Sequence, residues 1–346
     1  MTADNQDRTI LVTGASGFIA MHCILQLLEQ GFRVRGTLRS PSRETSLRAT
    51  FAKHVDADDR LAFFTANLTD DEGWREAIEG CDAVLHVASP LPRTPPKHED
   101  DLILPAREGV LRVLRFSSEL GVRRVVMTSS VAAVLYGHER DGSKVYDESD
   151  WSIPEKTVGA YEKSKTLAER AAWEFMDSLP EDGPLEFVAL NPGLVLGPIL
   201  DEDYGTSGEV VRKLMRRELP GCPPIGFATV DVRDVADAHL RAMDVPEAAG
   251  KRFILAIDHA SFGEIAEILD EHLRDRGYRV PTRRLPGFVL RIAALFDKTT
   301  GLVVPEIGLR MDLSNDRAKR VLGWQPRSLD TMVRDMADSL IEHGVA

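Results

Sequence analysis

The chain contains 346 residues, of which 43% are hydrophobic and 28% charged, and its 43 basic and 55 acidic residues give a net charge of −12. This length and composition are typical of a globular protein with a sizeable core, and they exclude a disordered or fibrous chain. The acidic balance disfavours nonspecific binding to nucleic acid, and no apolar run reaches the ~18 residues that a membrane span requires.

The N-terminal segment Met1–Arg8 is polar and acidic and lacks the basic and apolar regions of a secretory signal, so we expect a cytoplasmic protein. Three cysteines, Cys23, Cys81 and Cys222, lie far apart, with neither C-x-x-C nor Cys/His ligand spacing. They therefore predict neither a disulfide framework nor a metal site.

Short β-rich segments alternate with segments of helical periodicity up to Gly197, and this alternation predicts an α/β fold with a Rossmann-type, doubly wound parallel sheet. The predicted strands are Thr9–Thr13, Arg33–Leu38, Leu61–Thr65, Ala83–Val87, Val125–Thr128 and Glu186–Leu190. The predicted helices are Phe18–Gln30, Asp71–Glu79, Asp101–Leu120 and Ala160–Ser178. Left-handed C-caps are expected after three of them, at Gly31, Gly80 and Gly121.

Beyond Gly197 glycine and proline punctuate the chain around one basic helical segment, Val210–Arg217. Further predicted elements are a strand at Arg252–Ile257 and helices at Phe262–Leu273, Phe288–Phe296 and Leu329–Ile341. We therefore divide the chain into a nucleotide-binding domain at 1–197 and a smaller, mixed α/β substrate lobe at 198–346, with residues 226–257 returning to the first domain. Substrate selectivity is expected in the loop-rich part between Leu200 and Phe227.

A glycine-rich turn lies between the first predicted strand and the first predicted helix. Gly14 permits a tight turn, Gly17 lets the backbone approach a pyrophosphate, and Ala20 is the small residue that allows close packing of helix on strand. The phosphates would bind at the positive N-terminus of the helix. Such turns also occur without a ligand, but the position directly after a strand favours a dinucleotide site.

The residues at the end of the second strand decide which dinucleotide is preferred. An acidic residue there would take the ribose hydroxyls of NAD, whereas an arginine accommodates the 2′-phosphate of NADP. Here the strand is followed by Arg39, and the first acidic residue is Glu44. We therefore predict NADP(H), and we expect Arg33, Arg35 and Arg43 to point to solvent.

Tyr161 and Lys165 are four residues apart on a predicted helix, which places the phenol and the ammonium on one face. An adjacent ammonium favours the phenolate and is expected to lower the pKa of the tyrosine by roughly 1–3 units. Ser129 and Ser130 leave the end of a predicted strand at the edge of the sheet where ligands bind. One of them could donate a hydrogen bond to a carbonyl oxygen, or both could cap the loop.

Taken together these motifs resemble the extended short-chain dehydrogenase/reductases, in particular the dihydroflavonol reductase, cinnamoyl-CoA reductase and methylglyoxal/aldehyde reductase branch of the NAD-dependent epimerase/dehydratase family. The resemblance spans nearly the whole chain. It depends on Val12–Ile19, Val84–Pro90, Thr128–Ser130, the pair Tyr161 and Lys165, Asn191–Pro198 and Asp231–Ala236.

The resemblance implies that Ser130, Tyr161 and Lys165 are the catalytic residues and that the cofactor is NADPH. The implied cofactor contacts are Gly14, Ser16, Gly17, Phe18, Ile19, Arg39, Asn67, Leu68, Val87, Ala88, Ser89, Tyr161, Lys165, Pro192, Gly193 and Val195. The expected substrate contacts are Pro90, Ser130, Tyr204 and Cys222. Ala20 replaces the more frequent third glycine, and Asn67 stands where similar proteins carry an aspartate near the adenine.

The expected reaction is reduction of an aldehyde or ketone, a small-molecule carbonyl substrate, by a monomer or homodimer. The alternatives are an NAD-dependent nucleotide-sugar epimerase or dehydratase, a hydroxysteroid dehydrogenase, and a non-enzymatic dinucleotide-sensing regulator. Asp231 and Asp234 fit an N-cap and a first-turn acid better than a catalytic carboxylate pair. His86 and His239 are expected to be structural histidines, and Trp74, Trp173 and Trp324 to be packing residues.

Overall fold

The computed structural model describes residues 5–57, 59–90, 96–138, 144–157, 159–180, 183–257, 259–293 and 304–346. The strands are β1 (Thr9–Val12), β2 (Arg33–Leu38), β3 (Leu61–Thr65), β4 (Ala83–His86), β5 (Arg124–Thr128), β6 (Val145–Tyr146), β7 (Glu186–Pro192), β8 (Leu194–Leu196), β9 (Gly226–Asp231), β10 (Lys251–Leu255), β11 (His259–Ser261) and β12 (Asp312–Leu313). The helices are α1 (Phe18–Glu29), α2 (Glu44–Phe51), α3 (Trp74–Ile78), α4 (Asp100–Glu119), α5 (Ala160–Ser178), α6 (Gly205–Met215), α7 (Val232–Asp244), α8 (Phe262–Leu273), α9 (Gly287–Ala293), α10 (Asp316–Leu322) and α11 (Leu329–Glu342).

The central sheet contains seven parallel strands in the spatial order β10-β7-β5-β4-β1-β2-β3. Strands β4 and β5 are buried along their whole length, as expected for parallel strands that helices cover on both faces. The order runs outward in opposite directions from β1 and β4, so a topological switch point lies between these two strands. This architecture confirms the predicted Rossmann-type doubly wound sheet, in which ligands bind at that point.

Two hydrophobic cores lie on opposite faces of the sheet. One contains Met21 of α1 and Val235 of α7, and the other contains Val113 of α4 and Ala172 of α5. None of the helices in the described part of the chain is both long and apolar enough to cross a bilayer.

Most predicted elements occur within a few residues of their expected bounds, and the prediction for α5 coincides with the observed helix. Helix α3 begins at Trp74 and not at Asp71, because Gly73 adopts φ +80° and a Cβ there would lie 1.9 Å from the carbonyl oxygen of Thr65. The expected left-handed glycines Gly31, Gly80 and Gly121 have φ values of 90°, 76° and 72°.

Outside the central sheet, a three-stranded sheet in the order β11-β9-β8, whose strands the sequence did not indicate, lies beside a parallel pair between β12 and β6. Strand β10 pairs with β7 and so lies in the central sheet. Helix α6 begins at Gly205, five residues earlier than the basic segment predicted at Val210–Arg217. Part of the helix predicted at Phe288–Phe296 is observed as α9, and residues 294–296 lie outside the described residues.

Candidate active site

The glycine turn joins β1 to α1 at the switch point. Gly14 has φ +69°, and its N–H donates to the hydroxyl of Thr37 at 3.0 Å. A Cβ on Gly14 would lie 3.0 Å from the Cβ of Ala88, so the turn passes close to the end of β4. Gly17 is the N-cap of α1 in an extended conformation, and Ala20 is fully buried against the sheet.

The N-terminus of α1 has the features of an anion site. No side chain caps it, and the first turn of a helix has N–H groups without an intrahelical acceptor. These groups together with the helix dipole favour a negatively charged ligand. Ser16, Phe18 and Ile19 lie in this turn and this first helical turn, so the predicted phosphate contacts share one location.

Arg39 follows β2 and is exposed, and among the described residues it has neither an ion-pair nor a hydrogen-bond partner. Of the other three arginines, Arg35 differs from the expectation that they point to solvent. Arg35 donates to the carbonyl oxygens of Glu76 (3.2 Å), Ala77 (3.2 Å) and Glu79 (2.7 Å), which lie at the end of α3.

Arg43 forms an ion pair with Asp201 at 2.7 Å, and Arg33 is 3.9 Å from Asp59. Both of these arginines are exposed as expected, so only Arg35 departs from the expectation, because the fold places carbonyl oxygens within its reach. Arg39 keeps its charge available for an anion.

The residues after β3 mark the side of the site where the adenine was expected. The amide oxygen of Asn67 accepts from the N–H of Thr69 at 3.3 Å, and its carbonyl accepts from the indole N–H of Trp74 at 2.9 Å. Leu68 packs against Gly109 of α4, where a Cβ would lie 2.9 Å from the leucine side chain. Asn67 itself is exposed, so its side chain is accessible to a ligand.

The end of β4 is tied to the glycine turn through Thr13. The Thr13 hydroxyl accepts from the N–H of Ala88 at 2.9 Å and is hydrogen-bonded to Nδ1 of His86 at 3.0 Å. Burial, with the nearby Lys165 charge, lowers the pKa of His86 to about 3, so its imidazole is neutral. Val87, Ser89 and Pro90 are half-buried residues in the segment that follows, at the carboxyl edge of the sheet.

The Ser130 hydroxyl lies near the Tyr161 phenol and favours its phenolate form. The Ser130 hydroxyl also accepts from the N–H of Ala132 at 3.1 Å, so it both caps the following turn and contacts the phenol. Lys165 is buried one helical turn beyond Tyr161, and its ammonium donates to the carbonyl oxygen of Thr128 at 3.4 Å. The structure therefore brings the three predicted catalytic side chains to one end of β5.

The electrostatics of these groups correct one expectation. Burial raises the pKa of Tyr161, the nearby Ser130 hydroxyl opposes this, and Glu162 adds to it. Lys165 does not lower the pKa of Tyr161 as expected, because desolvation dominates. Burial also lowers the pKa of Lys165 to about 8, partly offset by the carboxylate of Glu169. The phenol is thus protonated at neutral pH.

The segment between β7 and β8 approaches the same edge of the sheet. Gly193 donates its N–H to the carbonyl of Leu255 at 3.0 Å, and a Cβ on it would lie 2.2 Å from the carbonyl oxygen of Ala228. Pro192 ends β7, and Val195 is a buried residue of β8. The backbone at residue 193 approaches Ala228 so closely that only glycine fits at this position.

The two predicted substrate residues of the second lobe have different surroundings. Cys222 is buried in the larger core, and its thiol donates to the carbonyl oxygen of Pro281 at 3.1 Å. We therefore assign it a packing role. Tyr204 precedes α6, is half-buried, and hydrogen-bonds to the carboxylate of Glu209.

Several residues have the structural roles that the sequence predicted. Asp231 caps α7 by accepting from the N–H of Arg233 at 2.8 Å, and Asp234 lies in its first turn. Burial lowers the pKa of His239 to about 4, and its ring is hydrogen-bonded to Thr128 at 2.7 Å. Within the described ranges, no His, Cys, Asp and Glu side chains form a group that could hold a metal ion.

The sequence analysis missed Glu169, Asn191 and Arg252, which form a buried polar network directly behind Ser130 and Lys165. The one available signal was spacing, because Glu169 follows Lys165 by four residues on the predicted helix. Its partners come from distant strands, so no local pattern could reveal them.

Comparison with known proteins identifies the family of the chain. The model of the NAD dependent epimerase/dehydratase family matches residues 10–256. The chain is 37% identical over 279 residues to cinnamoyl-CoA reductase 1 from Petunia hybrida, and the alignment covers 80% of each protein. It is 30% identical over 351 residues to the NADPH-dependent methylglyoxal reductase GRE2 from Saccharomyces cerevisiae, and this alignment covers 96% of this chain and 98% of that protein.

Among solved structures, the yeast methylglyoxal/isovaleraldehyde reductase Gre2 complexed with NADPH superposes with a TM-score of 0.81. The sequence identity is 28%, and the match covers 98% of this chain and 100% of that one. The likeness therefore includes the second lobe as well as the central sheet.

Proposed function

Because the chain belongs to the NAD dependent epimerase/dehydratase family, we propose that it is an NADPH-dependent reductase that converts aldehydes or ketones to alcohols. The observation that carries this proposal is the close approach of the Ser130 hydroxyl to the Tyr161 phenol, with the Lys165 ammonium one helical turn away. A hydroxyl, a phenol and an ammonium are the groups needed to protonate a carbonyl oxygen and stabilise its developing charge.

The cofactor would bind along the edge of the sheet at the switch point. The uncapped first turn of α1 and the left-handed turn at Gly14 suit the pyrophosphate. Arg39, which has no partner among the residues that the structure describes, suits a 2′-phosphate, since arginine binds phosphate oxygens in pairs. The relatives described as NADPH-dependent or complexed with NADPH support the same choice of cofactor.

When bound, NADPH supplies a hydride to the carbonyl carbon of the substrate. Tyr161 then donates its phenolic proton to the carbonyl oxygen, which completes the alcohol. Ser130 donates a hydrogen bond to the same oxygen and stabilises the negative charge that develops there. The Ser130 hydroxyl also favours the phenolate that Tyr161 becomes, which partly offsets the effect of burial on that charge. The Lys165 ammonium, one helical turn away, would hold the nicotinamide ribose and so orient the cofactor.

The direction of the two pKa shifts suits reduction. Burial raises the pKa of Tyr161, so the proton that the reaction needs is present at neutral pH. The pKa of Lys165 is about 8, so most of this side chain is charged at neutral pH. A nucleotide-sugar epimerase with tightly held NAD is less compatible with this site, because Arg39 occupies the position of the acidic residue that binds the NAD ribose.

The test is NADPH oxidation by the purified chain, followed by absorbance across aromatic aldehydes, diketones and bulky ketones, with NADH in parallel. We expect turnover of at least one class of carbonyl and a preference for NADPH. Protein that purifies with bound NAD and oxidises NADPH with none of these compounds would contradict the proposal.

A further inference from the structure

Glu169 is a fully buried carboxylate on the catalytic face of α5. Tyr161, Lys165 and Glu169 are each four residues apart, so their side chains follow one another along one side of the helix. A buried carboxylate is costly unless it is paired and hydrogen-bonded. Its position directly behind the catalytic lysine therefore calls for a physical reason.

The Glu169 carboxylate accepts hydrogen bonds from three strands. Oε2 accepts from the hydroxyl of Ser129 at 2.5 Å and from the side-chain amide of Asn191 at 2.8 Å, and Oε1 accepts from Nε of Arg252 at 2.6 Å. The indole N–H of Trp173, on the next turn of α5, lies 3.3 Å from Oε1. One side chain thus joins the catalytic helix to the ends of β5 and β7 and to β10.

Arg252 is 6% exposed and supplies the compensating charge. Its remaining N–H groups donate to the carbonyl oxygens of Glu148 at 3.1 Å and Asp150 at 2.7 Å, and its guanidinium lies 3.7 Å from the centre of the Trp151 ring. The ion pair is therefore fully hydrogen-bonded. A buried pair of this kind adds little stability over well-packed apolar residues, so stability alone does not account for it.

The network reaches the active site through Ser130. The amide N–H₂ of Asn191 donates to the carbonyl oxygen of Ser130 at 3.1 Å as well as to Glu169. Ser129, the preceding residue, donates to the same carboxylate. The backbone that carries the Ser130 hydroxyl is therefore fixed from two sides by groups that converge on Glu169.

The network also reaches Lys165 through charge. Burial favours the neutral amine, and the carboxylate of Glu169 favours the ammonium. Burial and Glu169 are the two effects on the pKa of Lys165, and Arg252, which binds Oε1 of that carboxylate, is not among them. His86 faces Lys165 from β4, and its imidazole is neutral because burial lowers its pKa to about 3.

We propose that Glu169, held by Arg252, is a positioning residue for the carbonyl reduction: it fixes Ser130 against the catalytic helix and sustains the positive charge of Lys165. This inference rests on the proposed function and adds to it a residue that touches neither substrate nor cofactor. It predicts that the carboxylate affects turnover and its pH dependence, beyond any effect on folding.

The test compares Glu169→Gln with the wild type in NADPH oxidation between pH 6 and 9.5, using a carbonyl compound that the wild type reduces. We expect kcat to fall at least tenfold and the alkaline limb of the kcat profile to move to lower pH, because the ammonium loses its neighbouring carboxylate. The matched control is Arg124→Met at the opposite end of β5. Arg124 is 1% exposed and forms an ion pair at 2.7 Å with Glu186, whose side chain is partly exposed.

The control, Arg124→Met, should lower the melting temperature without moving the alkaline limb of the kcat profile. A second variant, Glu169→Gln with Arg252→Met, leaves no unpaired charge and serves if the single variant does not fold. We expect it to regain melting temperature over the single variant but to keep the displaced limb and the low kcat.

The inference would be overturned if either Glu169 variant kept the wild-type alkaline limb of the kcat profile and a kcat within twofold of wild type. It would also be overturned if Arg124→Met moved that limb by the same amount. A wild-type protein that reduces no carbonyl compound would instead refute the proposed function.

Discussion

The hydroxyl of Ser130 lies beside the phenol of Tyr161, and this proximity links helix α5 to the end of strand β5. Both groups can donate to a single oxygen atom, because they are adjacent at the edge of the sheet. Their proximity depends on the packing of α5 against the turn that follows β5, so the reaction proposed above requires an intact fold at that contact.

Removal of the Tyr161 hydroxyl is the first prediction. Tyr161→Phe should reduce kcat by roughly 10²–10⁴-fold, the usual contribution of a positioned acid, while NADPH binding measured by fluorescence titration is retained. Tyr278→Phe is the matched control, since Tyr278 lies in the second lobe and is half-buried like Tyr161. Near-normal turnover of Tyr161→Phe would mean that another group protonates the product.

Arg39 should determine the preference for the phosphorylated cofactor. Arg39→Ala is expected to raise the Kd for NADPH about 10–100-fold, as for a lost charged hydrogen bond of about 1.5–3 kcal/mol, and to leave the Kd for NADH unchanged. Arg33→Ala removes an exposed arginine at the start of the same strand and should change neither. Equal weakening of both cofactors in Arg39→Ala would argue against a 2′-phosphate contact.

The pH dependence of turnover should follow Lys165. Its pKa of about 8 lies below the ordinary lysine value, so the ammonium is lost as pH rises through that range. The kcat for reduction should be level near pH 7 and fall above pH 8, approaching tenfold per pH unit as for a single ionisation. Lys165→Arg keeps a positive charge, and its residual activity should show no such fall. An unchanged limb in that variant would assign the titration to another group.

Buried histidines should make the protein sensitive to acid. Burial lowers the pKa of His22 and His239 to about 4 and that of His86 to about 3. Each histidine therefore binds a proton in the unfolded chain below about pH 6.5 while remaining neutral in the folded one. Stability is full above that pH and falls as the solution is acidified towards pH 4, by up to about 1.4 kcal/mol per pH unit for each group.

Thermal melting between pH 7.5 and 4.5 measures this loss. His239→Gln, which removes one of the three groups, should flatten the curve, and His54→Gln, at an exposed position, should not. A melting temperature that is constant across this range would show that the imidazoles accept protons without unfolding.

The sequence predicts the parts of the fold that depend on local pattern. Helix α5 was predicted with its observed bounds because its apolar residues recur at helical spacing over five turns. Strands β8 and β9 were not, because both lie among glycines and prolines that indicate loops. The start of α3 depended on the contact between Gly73 and Thr65, which only the folded chain contains.

In the site, too, some features follow from local sequence pattern and others depend on the folded chain. Tyr161, Lys165 and Ser130 could be selected from spacing and from the resemblance to a family. The rise in the pKa of Tyr161 could not, because it depends on burial. Arg35 was expected in solvent and instead caps α3, since the carbonyl oxygens that it meets come from a helix distant in sequence.

The pairing of Glu169 with Arg252 also has a consequence for biosynthesis. The carboxylate emerges from the ribosome well before its counter-charge, because β10 follows the first part of the second lobe. A nascent chain that ends before residue 252 must keep Glu169 hydrated or protonated, since an uncompensated buried charge is strongly unfavourable. Closure of the catalytic end of the sheet therefore waits for the seventh strand, and truncation before it should yield a loosely packed domain.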